Sequence, residues 1–233
     1  MVITKNNEHY YKVNEDDNEL IPSVTTILKI LGSKEIIKWA NYLGFKHIDY
    51  EEELERSSIK GTLIHQCMQQ LVDESIERED IKFPNENYLN ICNKALSNFT
   101  NLNLSYRTIF TEKEFISKSL GYAGTIDWYA IMNGKYMLND FKSSKIVYWK
   151  HLLQLGGYSR LLEENGYKID GASIIIVNEY TCKIYPVNKD SLENLSITFS
   201  KLKEIYDIID KPIIGYDKKL LDDINGKNIE NGE

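Results

Sequence analysis

The apolar positions of this 233-residue chain change their spacing near its middle. Up to residue 100 they fall three or four apart, as on one face of a helix; from about residue 104 they alternate, as in half-buried strands. The spacing predicts a first helix after Pro22, with Ser23 as N-cap, Val24, Ile27, Leu28 and Leu31 on its apolar face, and Gly32 at its end. A second helix, KEIIKWANYLG, stops at Gly44; a long one runs from about Asp49 to Glu79; a fourth covers 87–100. Three consecutive strands come next, SYRTIFTEKEFIS, GYAGTIDWYAIM and GKYMLNDFKSS. The last two are joined by Asn133-Gly134, a dipeptide suited to a two-residue hairpin turn. WKHLLQLGGYSRLLEENG returns to helix, and ASIIIVNE and CKIYPV are two more strands, the first apolar enough for a sheet centre. SLENLSITFSKLKEIYDII closes as an amphipathic helix. Ahead of these elements EHYYKV, NEDDN and ELI read as a small hairpin, and after them comes a polar tail expected to fray.

Helices, three strands, a helix, two strands and a helix make an α/β protein, a single domain with a central mixed β-sheet flanked by helices. The expected organisation is an N-terminal hairpin over 1–22, a main domain over 23–210 and a tail over 211–233. Within the main domain a helical part spans about 23–100 and a strand-rich core about 104–210. NEDDNE resembles a calcium loop only in its acidity. It lacks the glycine and the closing glutamate of that loop, so a plain turn is expected.

Composition narrows the function only slightly. A net charge of −7, from 28 basic and 35 acidic residues, argues against a protein that coats nucleic acid nonspecifically. It leaves room for a basic groove beside an acidic centre. Cys67, Cys92 and Cys182 form no C-x-x-C pair, which points to reduced thiols rather than a zinc or iron–sulfur site. No apolar run approaches the roughly 20 residues of a membrane span, and MVITKNNEHYYKV lacks the apolar core of a signal peptide. The expected location is the cytoplasm of a bacterial or phage-infected host cell.

The candidate chemistry lies in the hairpin GTIDWYAIMNGKYMLNDFKSS. Aspartate is depleted from strands, yet Asp127 lies near the start of one strand and Asp140 near the end of the next, two residues before Lys142. Alternation puts Asp140 and Lys142 on one face and Phe141 on the other. Asp127 and Asp140 stand at similar distances from the turn, so the fold-back brings them together. Two adjacent carboxylates repel unless a cation sits between them, and a hard divalent ion such as Mg²⁺ prefers oxygen ligands. An ammonium beside such an ion can orient a water or stabilise charge developing on a phosphate. Taken alone, each element has an ordinary reading: a surface salt-bridge ladder for D-x-K, a core histidine for His65, a solvated strand face for Glu112 and Glu114, and a polar helix side for Gln154 and Tyr158, which are four residues apart.

Taken together and in order, the set resembles the RecB-like branch of the PD-(D/E)xK nuclease superfamily. The residues that carry the resemblance are Gly61-Thr62-Leu63-Ile64-His65, Glu112, Gly124-Thr125-Ile126-Asp127, Asp140-Phe141-Lys142, and Gln154 through Tyr158. PSVTTIL and GYAGTID look like the phage and mitochondrial genome-maintenance exonucleases of that branch. The resemblance implies a restriction-endonuclease-like core and a Mg²⁺- or Mn²⁺-dependent deoxyribonuclease holding one or two ions, an exonuclease in DNA recombination, replication or repair. Asp127, Asp140, His65 and the main-chain carbonyl of Phe141 would be metal ligands. Lys142 would position the attacking water. Glu112, rather than Glu114, would bear on a second metal, and Gln154 and Tyr158 would brace the site or touch the DNA backbone. The implied partner is DNA with a free end, single-stranded at the site, with a single-strand annealing protein as a further partner. Trp39, Tyr42, Phe45, Tyr148 and Trp149 are candidate stacking aromatics. The iron–sulfur cysteines of the CRISPR-associated and AddB-type members are missing, as is any P-loop. The alternatives are a structure- or sequence-specific endonuclease of the same superfamily and a non-catalytic DNA-binding or assembly module.

Overall fold

The computed structural model describes residues 2–5, 8–13, 20–32, 34–75 and 81–210. The expected turn at 14–19, the far end of the long helix at 76–79 and the tail at 211–233 lie outside them. The expected N-terminal hairpin is a three-stranded antiparallel sheet: β1 (Val2–Lys5), β2 (Glu8–Lys12) and β3 (Leu20–Pro22), in that order. The four residues of β1 are too few to show alternation, and β1 is defined by its pairing with β2, Val2 opposite Tyr11.

Ser23 caps α1 (Val24–Leu28) as expected, its Oγ accepting from the Thr26 amide at 2.9 Å. The helix tightens into a 3₁₀ turn over Lys29–Leu31 and ends at Gly32. α2 (Lys34–Phe45) and α3 (Tyr50–Val72) come next. The sequence predicted that α3 would continue to 79, but among the described residues it stops at Val72. Asp73 leaves the helix because its carboxylate captures the Ser75 amide at 3.1 Å and the Thr111 hydroxyl at 2.8 Å. An aspartate offers the chain local partners that compete with the helix. Asn85 caps α4 (Glu86–Thr100).

The second sheet has five strands in the order β4 (Tyr106–Ser117), β5 (Tyr122–Met132), β6 (Lys135–Lys142), β7 (Gly171–Val177), β8 (Cys182–Asn188). Every pairing is antiparallel except β6 with β7. That parallel pair needs a crossover, which α5 (Trp149–Glu164) supplies. The sheet is therefore mixed. α1, α5 and α6 (Lys189–Asp210) cover one face, with Val24, Leu155, Leu161 and Phe199 buried there. α3 and α4 cover the other, over Ile64, Met68, Phe99, Trp128 and Phe141. The fold is thus α/β, with a five-stranded mixed sheet, a three-stranded sheet and six helices among the described residues. None of those helices is long and apolar enough to cross a membrane. Cys67 and Cys92 are buried thiols and Cys182 is partly buried.

Candidate functional site

The β5–β6 hairpin turns through Asn133 at φ +49° and Gly134 at φ +76°, the two left-handed residues that a tight hairpin turn requires. Its register, with Trp128 opposite Asn139, carries Asp127 to a place opposite Asp140. The turn arithmetic therefore holds. Phe141 points into the α3/α4 layer, stacked on Trp128 at 5.6 Å, while Asp140 and Lys142 pair at 2.6 Å.

Both aspartates are deeply placed: Asp140 is fully buried and Asp127 is 9% exposed. The Lys142 ammonium faces Asp140 as a charge, off the hydrogen-bonding line, so neither carboxylate oxygen of Asp140 receives an aligned hydrogen bond. Burial pushes the Asp140 carboxyl up to about 6, against the pull of Lys142. Burial raises Asp127 too, against His65 and Lys142. For Lys142 burial works downward, but Asp140 and Asp127 outweigh it and the amine is held above its usual range. His65 shows the same balance, burial being outweighed by Asp127 and Glu112. The pocket thus holds two carboxylates that resist ionising and two bases that resist losing their protons.

His65 comes from α3. Its Nδ1 lies 3.5 Å from Asp127 Oδ2 and 3.9 Å from Glu112 Oε1. One ligand atom from each of His65, Glu112 and Asp127 falls within 4.8 Å of the others, a grouping that could hold a metal ion. Asp140 is not in that group of three. Phe141 contributes its amide, which donates to Asp127 Oδ2 at 2.9 Å and fixes that carboxylate.

Glu112 and Asp127 share an irregularity that the sequence does not announce. Glu112 is left-handed, at φ +44°, an uncommon state for a residue with a Cβ. Around it the alternation of both strands slips. Phe110 and Phe115, five apart, pack into one layer, while Ile126 and Trp128, two apart, pack into opposite layers. The slip breaks the expected sharing of one face by Glu112 and Glu114. Glu112 turns toward His65, while Glu114 is exposed and pairs across from Thr125.

On α5, Gln154 Nε2 donates to the Tyr158 hydroxyl at 2.8 Å, and both residues are buried. Asp127 and Asp140 help burial hold the Tyr158 phenol protonated. The Tyr158 ring lies on Gly124, where a Cβ would come within 2.6 Å of its Cε1. Gly124 is therefore a packing necessity three residues before Asp127. Gly61 is under no such constraint: a Cβ there would stand 3.4 Å from Ser143 Oγ, an ordinary contact. The loop after Lys142 is pinned by Asn178, which donates to the Ser144 carbonyl at 3.2 Å.

Of the candidate stacking residues, Phe45, Trp149 and Tyr42 are 81%, 75% and 55% exposed. Trp39 packs on Tyr50 and Tyr148 on His151, so these two are engaged. Sequence reasoning passed over Tyr180, 77% exposed beside Asn178, and Tyr11, whose hydroxyl meets Thr125 Oγ1 at 2.8 Å. A contact between residues 114 apart leaves no trace in local spacing.

No protein-family model matches this chain, and no curated protein matches it. A solved structure described as the crystal structure of SSO0001 is similar over 86% of this chain and 80% of its own, at 14% identity and a TM-score of 0.41. At that score the similarity bears on neither the fold class nor the chemistry.

Proposed function

We propose that this chain is a Mg²⁺- or Mn²⁺-dependent DNA exonuclease of the RecB-like branch of the PD-(D/E)xK superfamily, built on a restriction-endonuclease-like core. One observation carries the reading. A fully buried aspartate, Asp140, with no aligned hydrogen bond lies beside a partly buried lysine and opposite a second buried aspartate, Asp127, which belongs to a histidine–glutamate–aspartate grouping. Burying such charges is costly unless they are paired or hold a metal, and oxygen-rich donors suit a hard cation. In this reading Asp127, Asp140, His65, Glu112 and the Phe141 carbonyl hold one or two ions. When bound, a divalent cation supplies positive charge against the scissile phosphate and a water of lowered pKa.

The chain's own residues do the rest. Lys142 is held as an ammonium, so its Nζ donates to the attacking water or to a phosphate oxygen and does not serve as a base. The Phe141 amide fixes the oxygen of Asp127 that faces His65. Gln154 and Tyr158 wall off the α5 side, and the more exposed His65 and Glu112 leave the other side open.

DNA as the substrate is supported by the segment that follows Lys142. Residues 142–150, KSSKIVYWK, carry three lysines and no acid in a chain of net charge −7, and Trp149 among them is exposed. Positive charge interleaved with free aromatic faces suits an unpaired strand. The test is an end-labelled linear oligonucleotide beside a closed circle of the same sequence, each with Mg²⁺, Mn²⁺ or EDTA. Shortening of the linear strand from one end, with the circle intact, is the expected result. Cutting of the circle assigns an endonuclease instead, and binding without cutting in any metal assigns a non-catalytic module.

A further inference from the structure

The N-terminal sheet and the Ser23 that follows it are anchored to β5 by three contacts, at Ala123 and Thr125, both within four residues of Asp127. Ser23 bridges to Ala123 in parallel. Ala123, with no exposure, packs under Tyr11 and Ile21 as a small apolar cluster of its own. The Tyr11 hydroxyl meets the Thr125 hydroxyl at 2.8 Å. The sheet is itself tied to α1, because the His9 amide donates to Thr26 Oγ1 at 3.0 Å and that hydroxyl donates back to the His9 carbonyl at 2.9 Å. Tyr11 is 4% exposed, although it belongs to a five-residue strand that would not need to bury a phenol deeply to form a hairpin.

The position of Tyr11 matters because β5 loses its alternation just after Thr125. The alternation of β5 slips between Ile126 and Trp128, and the left-handed Glu112 is the matching slip on β4. A slip of this kind is strained and persists only where the surroundings over-determine it. On the far side, the Phe141 amide holds Asp127 at 2.9 Å. On the near side, Tyr11 holds the Thr125 hydroxyl. The phenol also lies within the electrostatic reach of Glu114 and Glu112. It is thus a proton-bearing group at the rim of the acidic site, supplied by a part of the chain otherwise remote from it.

We propose that the N-terminal sheet is a working part of the site, and that Tyr11 is a positioning residue which, through Thr125, fixes the slip in β5 that aims Asp127 and Glu112 at His65. This rests on the reading of His65, Glu112 and Asp127 as metal-holding. The two are separable by experiment. Tyr11→Phe keeps the ring in its apolar cluster and removes only the hydroxyl; Thr125→Val removes its partner. Free Mn²⁺ is measured by electron paramagnetic resonance during titration of the wild type, each variant and the double variant, with thermal unfolding run in parallel. Groups that orient metal ligands typically alter affinity by about 10–100-fold when removed. The expected result is a Mn²⁺ affinity about 10-fold weaker in each single variant, with the double variant no weaker than either, and unfolding midpoints close to the wild type. Wild-type Mn²⁺ affinity in both variants overturns the positioning role, whatever their stability. Additive losses in the double variant overturn the coupling through Thr125. A folded wild type that binds no Mn²⁺ overturns the metal-holding reading itself, and the proposal with it.

Discussion

β6 and β7 run side by side and parallel at the centre of the sheet, Asp140 beside Ile174 and Lys142 beside Ile176. β7 reads GASIIIV and is buried throughout, with no charge. β6 reads KYMLNDFK and buries an aspartate completely at the same depth. The environment that takes isoleucine in one strand takes a carboxylate and an ammonium in the next. Packing alone favours the first choice, since a buried ion pair is often no more stable than the apolar residues that could replace it. On the proposed reading, the contrast separates residues that serve folding from residues that serve chemistry.

The largest expected effect comes from removing the ammonium. Lys142→Ala should lower cleavage by about 10³-fold, the scale of losing a charge-stabilising donor, in a single-turnover assay. The sharpest way to erase the contrast is to make β6 resemble β7. Asp140→Leu combined with Lys142→Met should be inactive yet more stable than the wild type by about 1–4 kcal/mol in urea unfolding. A double variant less stable than the wild type would mean that the pair is structural.

Next in size is the brace. Gly124→Ala places a methyl against the Tyr158 ring and should cost about 1–3 kcal/mol of stability, as overpacking does. Pairing it with Tyr158→Leu should recover part of that loss in the same unfolding curves. Glu112 differs from Gly124 because its backbone is already strained. Glu112→Gly should leave the unfolding midpoint unchanged or raise it by up to about 1 kcal/mol equivalent, since a left-handed residue with a Cβ costs about that much. The same change should weaken Mn²⁺ binding in the titration.

The last effect is one of pH, and it is read only in acid. Burial, with Lys142 nearby, pulls the His151 imidazole down to about 3, and its Nδ1 accepts from the Tyr148 amide. The folded protein therefore binds this proton less readily than the unfolded chain, whose histidines titrate near 6.5. The stability tied to neutral His151 is complete above pH 6.5 and is lost as pH falls from there toward 3. Thermal unfolding of the wild type against His151→Gln over about pH 4–8 should show a shallower acid decline in the variant.

Much of this was legible in the residues. The change of period near residue 100 located the helical and strand-rich parts, and Asn133-Gly134 set the register that faces Asp127 with Asp140. The ordered residues also converge: His65, Glu112 and Asp127 in one group, Lys142 on Asp140, Gln154 on Tyr158. The features that stayed hidden depend on contacts distant in sequence. The early stop of α3 comes from Thr111 and Ser75 binding Asp73. β1 is created by its partner strand. The slip at Glu112 violates the very alternation by which strands are read, and Tyr11 reaches its place only once two sheets are stacked.

The most direct test of the central claim uses Asp127→Asn, which keeps the shape of the side chain and an oxygen for the Phe141 amide but removes the charge. Wild type and variant are each incubated with an end-labelled single-stranded oligonucleotide and Mg²⁺ or Mn²⁺, with EDTA as control. The account predicts progressive shortening by the wild type, none with EDTA, and none by a variant that remains folded. Equal shortening by both proteins, or none by the wild type with Mg²⁺ or Mn²⁺, would contradict it.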